Sequence, residues 1–111
     1  MSLPFTSLDA AAATGAGASR DLEALSGHHT MVVSSTGSPS SVSVILEGSH
    51  DGSVWVQLGT AVGAGPSVRT VPGDGVLEHL VRFVRANLVT LSGGSSPTVT
   101  ATIASDIDEE D

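Results

Sequence analysis

The chain has 111 residues, a formal net charge of −8, four Arg, no Lys and no Cys. That length fits one domain with a modest core. The absence of cysteine excludes disulfides, thiolate nucleophiles and cysteine–zinc sites. Five of the twelve acids lie in the last six residues, so the body sets four Arg against seven acids and carries no basic stripe for nucleic acid. No apolar run reaches the roughly 18 residues of a membrane helix, and no signal peptide is expected at the N-terminus. The aromatics are Phe5, Trp55 and Phe83, which leaves Val, Ile and Leu to fill the interior. Abundant Val, Thr, Ser and Gly favour strands joined by tight turns.

In chain order, residues 1–18 read as an extended arm. Leu3, Phe5 and Leu8 are its apolar anchors, placed to lie on a neighbouring subunit; a disordered terminus is the alternative. Residues 19–104 form the sandwich domain. Arg20–Leu25 alternates weakly, with Leu22 inward. His28–Ser35 is a strand with Met31 and Val33 on one face and Val32 on the other. Thr36–Ser40 is a turn. Ser41–Glu47 alternates clearly, with Val42, Val44 and Leu46 inward. Asp51-Gly52 then marks a tight turn, because glycine accepts positive φ without steric cost. Val54–Leu58 returns with Val54, Val56 and Leu58 on one face, so residues 41–58 are a β-hairpin.

Gly59–Gly65 reads as a Gly/Ala loop, Ser67–Val71 as a short strand and Pro72–Gly75 as a turn. Val76–Val81 is ambiguous between strand and helix. Phe83–Leu91 carries bulk on both faces, which suits a central strand. Ser92–Pro97 is a turn. Thr98–Ala104 points Val99, Ala101 and Ile103 inward and Thr98, Thr100 and Thr102 outward. Residues 105–111 are an acidic tail. Seven or eight short strands of this kind predict an all-β fold, an antiparallel sandwich or jelly roll.

Three runs carry a family resemblance. They are Val44-Ile45-Leu46-Glu47-Gly48-Ser49-His50-Asp51-Gly52-Ser53-Val54-Trp55, Arg82-Phe83-Val84-Arg85-Ala86-Asn87, and Gly93-Gly94-Ser95-Ser96-Pro97-Thr98-Val99-Thr100-Ala101. With Ala13–Gly17 upstream, the chain resembles small capsid-decorating or accessory virion proteins of tailed bacteriophages. The resemblance implies a β-sandwich that cements a capsid, commonly as a homotrimer, or sits elsewhere on the virion. Its partner would be the major capsid protein, its location the capsid surface after synthesis in the host cytoplasm. It supplies no catalytic motif. The Ser-x-Asp-Gly-x-x-Trp and Phe-Val-Arg elements are also similar to discoidin-like and other carbohydrate-binding sandwiches.

Several groups were weighed as sites. His28, His29 and His50 with Asp51 are a candidate metal cluster, but adjacent histidines on a strand point to opposite faces; surface histidines at strand ends are the simpler reading. Asp74, Glu78 and His79 with a serine could form a hydrolytic triad, yet no nucleophile elbow is present. Gly59–Gly65 lacks the Lys and Ser/Thr of a phosphate loop. Trp55 is either an outward anchor for a partner or sugar, or a cover for its own sheet. Arg82 and Arg85, three apart on a strand, face opposite sides; one can pair with Glu47 or with a partner's acids, and an ordinary solvated pair is the default. The expected function is therefore a non-enzymatic virion structural module with no cofactor or metal. A glycan-binding module is its rival. Leu3, Phe5, Leu8, Trp55, Arg82 and Arg85 are the interface candidates.

Overall fold

The structure, a computed structural model, describes residues 4–62, 67–69 and 80–105. Eight strands run through them in order: β1 Phe5–Ala11, β2 Gly15–Ser26, β3 His29–Thr36, β4 Ser41–Ser49, β5 Val56–Val62, β6 Ser67–Arg69, β7 Val81–Ser92 and β8 Thr98–Ser105. All pairings are antiparallel. They form two four-stranded sheets, a front sheet ordered β1-β8-β3-β6 and a back sheet ordered β2-β7-β4-β5. These orders are those of an eight-stranded jelly roll, in which consecutive strands 1–2, 3–4, 5–6 and 7–8 cross between the sheets.

Period-two patterning builds the two inner faces. In β8, Val99, Ala101 and Ile103 are buried; in β4, Val42, Val44 and Leu46; in β3, Met31 and Val33. Leu8, Leu22, Leu58, Val81, Val84, Ala86 and Leu88 complete one cluster between the sheets. Each Val, Leu, Ile or Met of the cluster contributes about 1.5–3 kcal/mol on burial. With so few aromatics, the core is made of many medium-sized side chains.

The arm boundary at residue 18 does not hold. Phe5–Ala11 is β1, paired with β8 from Phe5↔Ile103 to Ala11↔Val99, and Gly15 already opens β2. Leu8 is buried in the chain's own core, so it is not free to anchor on a neighbouring subunit; Phe5 is half-buried against that core. The physical reason is that β8 would otherwise be an edge strand whose apolar face lacked cover. β1 is joined to the back sheet by an unusual device. The Ser7 hydroxyl donates to the Ala18 carbonyl at 2.6 Å and accepts from the Ala86 N–H at 2.8 Å. It bridges the gap where the β2–β7 ladder slips between Ala16 and Ser19. Gly17 lies against the Ser7 backbone so closely that a Cβ there would overlap it.

Two further readings change. Gly59–Val62 belongs to β5, with Gly59 buried opposite Leu46, so pairing with β4 overrides the loop-like composition. Val54 is 69% exposed and precedes the strand; Val56, at the rim, is 42% exposed, and of the three only Leu58 enters the core. The register slips by one residue at Leu58, which sets it inward beside Gly59. Leu3, residues 70–79 and the tail from 106 onward lie outside the described residues.

Candidate interaction surface

On the outer face of the back sheet, β4 and β7 run side by side with Glu47 directly opposite Arg85. The Arg85 Nε donates to Glu47 Oε1 at 2.7 Å, and Asn87 Nδ2 donates to Glu47 Oε2 at 3.3 Å. The two charged side chains are 25% and 15% exposed. Trp55 closes over this pair: the Arg85 guanidinium carbon stands 4.1 Å from the indole centroid, a cation–π stack. The indole thus covers an ion pair of its own sheet with one face.

Trp55 is brought there by the β4–β5 loop, which curls back from the hairpin tip. Ser49 Oγ accepts from the N–H groups of Asp51 and Gly52 and donates to Asp51 Oδ1. Asp51 Oδ1 in turn accepts from the N–H of Ser53 at 2.9 Å and Val54 at 3.0 Å. Those two backbone donors, then the Ser49 hydroxyl, lower the Asp51 carboxyl to about 2. Gly52 takes φ +79° and rests on the Phe83 ring.

A second pair lies on β2 and β7. Arg82 donates through Nε and one terminal nitrogen to both oxygens of Asp21, at 2.7 and 2.9 Å, and stacks over Phe83. The Arg82 hydrogen bond, followed by the Glu23 N–H, holds the Asp21 carboxyl below its usual range; Asp21 in turn raises Arg82. Arg82 and Arg85 both reach the surface because Val81 and Val84 are both buried, so alternation slips by one between them.

At the hairpin end, Ser49, His50, Asp51, Val54, Val56 and Val81 line an open pocket of about 200 Å³. That is below the roughly 300–1,000 Å³ of ordinary small-molecule sites. His50 Nε2 lies 2.8 Å from the Leu80 carbonyl, to which its N–H tautomer donates. Leu80, at 47% exposure, adds to the apolar rim formed by Val54 and Val56.

The outer face of the front sheet is different. Its inner strands present Thr98, Thr100, Thr102 and Ala104 from β8 in register with Thr36, Ser34, Val32 and Thr30 from β3. The four β3 residues are exposed and the four of β8 half-buried. None of the eight carries a charge. Thr6 of β1 extends the row beside Thr102.

No family model matches the sequence, and a search of curated proteins finds no match. Among solved structures, the crystal structure of the SPBc2 prophage-derived protein YomS superposes with a TM-score of 0.61 at 14% identity, over 96% of this chain and 94% of that one. The two proteins share one fold. At that identity the shared property with YomS is the path of the backbone, and side chains are read from this chain alone.

Of the sequence-predicted interface residues, Trp55 and Arg85 come together on the back sheet, and Arg82 lies three residues earlier on β7, paired to Asp21. Leu8 is in the core, Phe5 is half-buried against it, and Leu3 is outside the described residues. His29 is not a surface residue: it is buried, with Nδ1 2.8 Å from Ser105 Oγ. His28 and His50 are exposed and apart in role, and among the described residues no three His, Cys, Asp or Glu gather as a metal site. Asp74, Glu78 and His79 are outside the described residues. Sequence reading sets Thr98, Thr100, Thr102 and Val32 off the core face; that they lie side by side follows only from the β3–β8 register.

Proposed function

We propose that this protein is a phage virion structural protein, and most concretely a decoration protein that binds the outer surface of the capsid shell. The observation that carries the reading is the jelly roll shared end to end with a prophage-derived protein. Jelly rolls are a recurrent virion architecture, though the fold alone assigns no activity. The side chains add to it. The polar groups of the back sheet are spent on one another, and the pocket at the hairpin end is small and rimmed by Val54, Val56 and Leu80. Such an apolar rim beside a Trp/Arg stack is suited to a protein surface, where a few central aromatic and Arg residues carry most of the binding energy. The shell contact is therefore the hairpin end and the adjoining back sheet around Trp55.

The reading is tested by mixing purified protein with undecorated capsids of the phage that encodes it. Co-sedimentation and a higher capsid disruption temperature are expected. Val54→Glu is expected to weaken co-sedimentation at least tenfold. No binding by the parent protein would overturn the reading. Glycan binding is the competing outcome: it requires a free aromatic face, and Arg85 already occupies one side of Trp55. Sugar binding lost in Trp55→Ala, without capsid binding, would decide for that rival.

A further inference from the structure

We infer that Asp51-Gly52 is a latent modification site: the hydrogen bonds of its own loop keep it silent, and it isomerises to isoaspartate when that loop opens. The inference concerns the chemistry of the free chain and does not depend on the proposed shell contact.

The reaction needs only these two residues and water. The Gly52 backbone nitrogen bonds to the side-chain carboxyl carbon of Asp51. The amide proton and the carboxyl hydroxyl leave together as water, and a succinimide ring closes. Water then adds to one of the two ring carbonyls and opens the ring. Addition at the side-chain carbonyl restores Asp51. Addition at the backbone carbonyl leaves isoaspartate, whose main chain runs through the side-chain carbon and is longer by that methylene. Glycine is the residue that hinders the attack least, because it has no Cβ. Asp51 and Gly52 are both exposed in the β4–β5 loop, so water reaches the bond.

The folded loop opposes each requirement. The nucleophile is engaged, since the Gly52 N–H donates to Ser49 Oγ at 2.9 Å. The electrophile is engaged too: Asp51 Oδ1 accepts from the Ser53 N–H, the Val54 N–H and the Ser49 hydroxyl. Ser49 is buried and also accepts from the Asp51 N–H at 3.2 Å, so its proton and both lone pairs are in use. Turning the carboxyl carbon onto the Gly52 nitrogen breaks this network. Gly52 itself is fixed at φ +79° against the Phe83 ring. Protonation adds to the geometry, because only the neutral acid can release its hydroxyl. With the Asp51 carboxyl lowered to about 2, against roughly 3.9 in an unfolded chain, the acid form at neutral pH is about a hundredfold scarcer. The reaction therefore runs through the opened loop, at a rate set by local unfolding. Its product cannot rebuild the loop. The carboxylate has moved to the α-carbon and the main chain has lengthened, so the caps on Ser53 and Val54 are lost and Trp55 leaves Arg85.

The test is prolonged incubation of the full chain at neutral pH, in buffer and in urea, with isoaspartate located by enzymatic methylation and peptide mapping. A second Asp-Gly pair, Asp74-Gly75, lies outside the described residues and serves as the reference in urea. In urea the two pairs should isomerise at similar rates. In buffer Asp51 should react about tenfold more slowly than in urea, or slower still. Ser49→Ala frees the Gly52 N–H and should raise the rate in buffer roughly threefold or more, with the rate in urea unchanged. The single Trp should shift its emission to longer wavelength as isoaspartate accumulates at position 51. Isomerisation of Asp51 as fast in buffer as in urea would overturn the inference. So would a folded Ser49→Ala chain that reacts at the parent's rate, or an Asp51 that stays unreactive in urea while Asp74 reacts. If Ser49→Ala does not fold, the parent's ratio of rates decides alone. Isoaspartate at position 51 with unmoved emission would overturn the release of Trp55.

Discussion

The two ends of the jelly roll are held by different kinds of group. At the end where β3 passes to β4 and β7 to β8, two turns lie backbone against backbone. Ser95 N–H donates to the Gly37 carbonyl at 2.8 Å and Ser40 N–H to the Ser92 carbonyl at 2.9 Å. Gly94, at φ +71°, sits where a Cβ would overlap the Gly37 carbonyl and the Ser38 backbone. At the hairpin end the loop is held by side chains: the Ser49 hydroxyl, the Asp51 carboxylate, the His50 imidazole and the Arg85–Trp55 stack. The turn end, where the Ser40, Thr36 and Thr98 hydroxyls add to the backbone bonds, leaves no room for a Cβ at Gly37 or Gly94 and has no titratable side chain in either turn. A side-chain-held end tolerates single losses but responds to pH, and it can present Val54 and Val56 outward.

The sharpest way to break this comparison is Gly94→Ala. It combines a disfavoured backbone conformation with a backbone overlap, and should cost on the order of 3 kcal/mol in urea unfolding. A loss below about 1 kcal/mol would show that the turns part easily. Ser7→Ala comes next. It leaves the Ala18 carbonyl and the Ala86 N–H without their bridge in a buried site, at about 2–3 kcal/mol. Hydrogen exchange at Ala86 should accelerate in this variant; unchanged protection would show that the ladder closes without Ser7.

At the hairpin end the effects should be smaller. Arg85→Ala removes the ion pair and the stack together and should cost about 1–2 kcal/mol. The single Trp makes this visible, because its emission should move to longer wavelength as the indole loses its cover. Unmoved emission would mean that the stack does not hold the loop. The pH response is more specific. The Asp51 carboxyl is lowered to about 2 in the folded protein, against roughly 3.9 in an unfolded chain. A lowered folded value gives stability that is full above about pH 4 and is lost as pH falls towards 2. Asp51→Asn should flatten that part of the stability curve, and a curve with the parent's slope would reject the role given to Asp51. Least of all is expected from Asp21→Asn, since its ion pair with Arg82 is about half exposed; its melting temperature should stay within error of the parent.

Much of the fold was legible along the chain, because the inner faces obey a period of two. Val42, Val44 and Leu46, and again Val99, Ala101 and Ile103, could each be set inward from their neighbours alone. That β4 returns as a hairpin is legible from Asp51-Gly52, but the returning strand is Val56–Val62 and not Val54–Leu58. In two strands the reading fails because of a slip in register. Val54 and Val56 were read on the core face with Leu58, but the strand starts at Val56 and bulges at Leu58. Arg82 and Arg85 were read on opposite faces, but Val81 and Val84 are both inward. Bulges of this kind depend on the partner strand and leave no mark in the strand that carries them. The interaction surface was half legible. Trp55 stands out by type; that Arg85, and not Arg82, meets Glu47 follows only from the β4–β7 register.

The sequence by itself determined that this protein is built of strands, which side chains of β4 and β8 fill its core, and that it has no thiol chemistry. Local periodicity and residue type are enough for those conclusions. The tertiary structure alone decided that Phe5–Ala11 is a strand of the sandwich and not an arm, that the sheet orders are those of a jelly roll, and that Trp55 lies on Arg85. Each of these joins residues far apart in the chain, and only closing the sheets sets which of the many compatible pairings satisfies backbone hydrogen bonds and buries the apolar faces together.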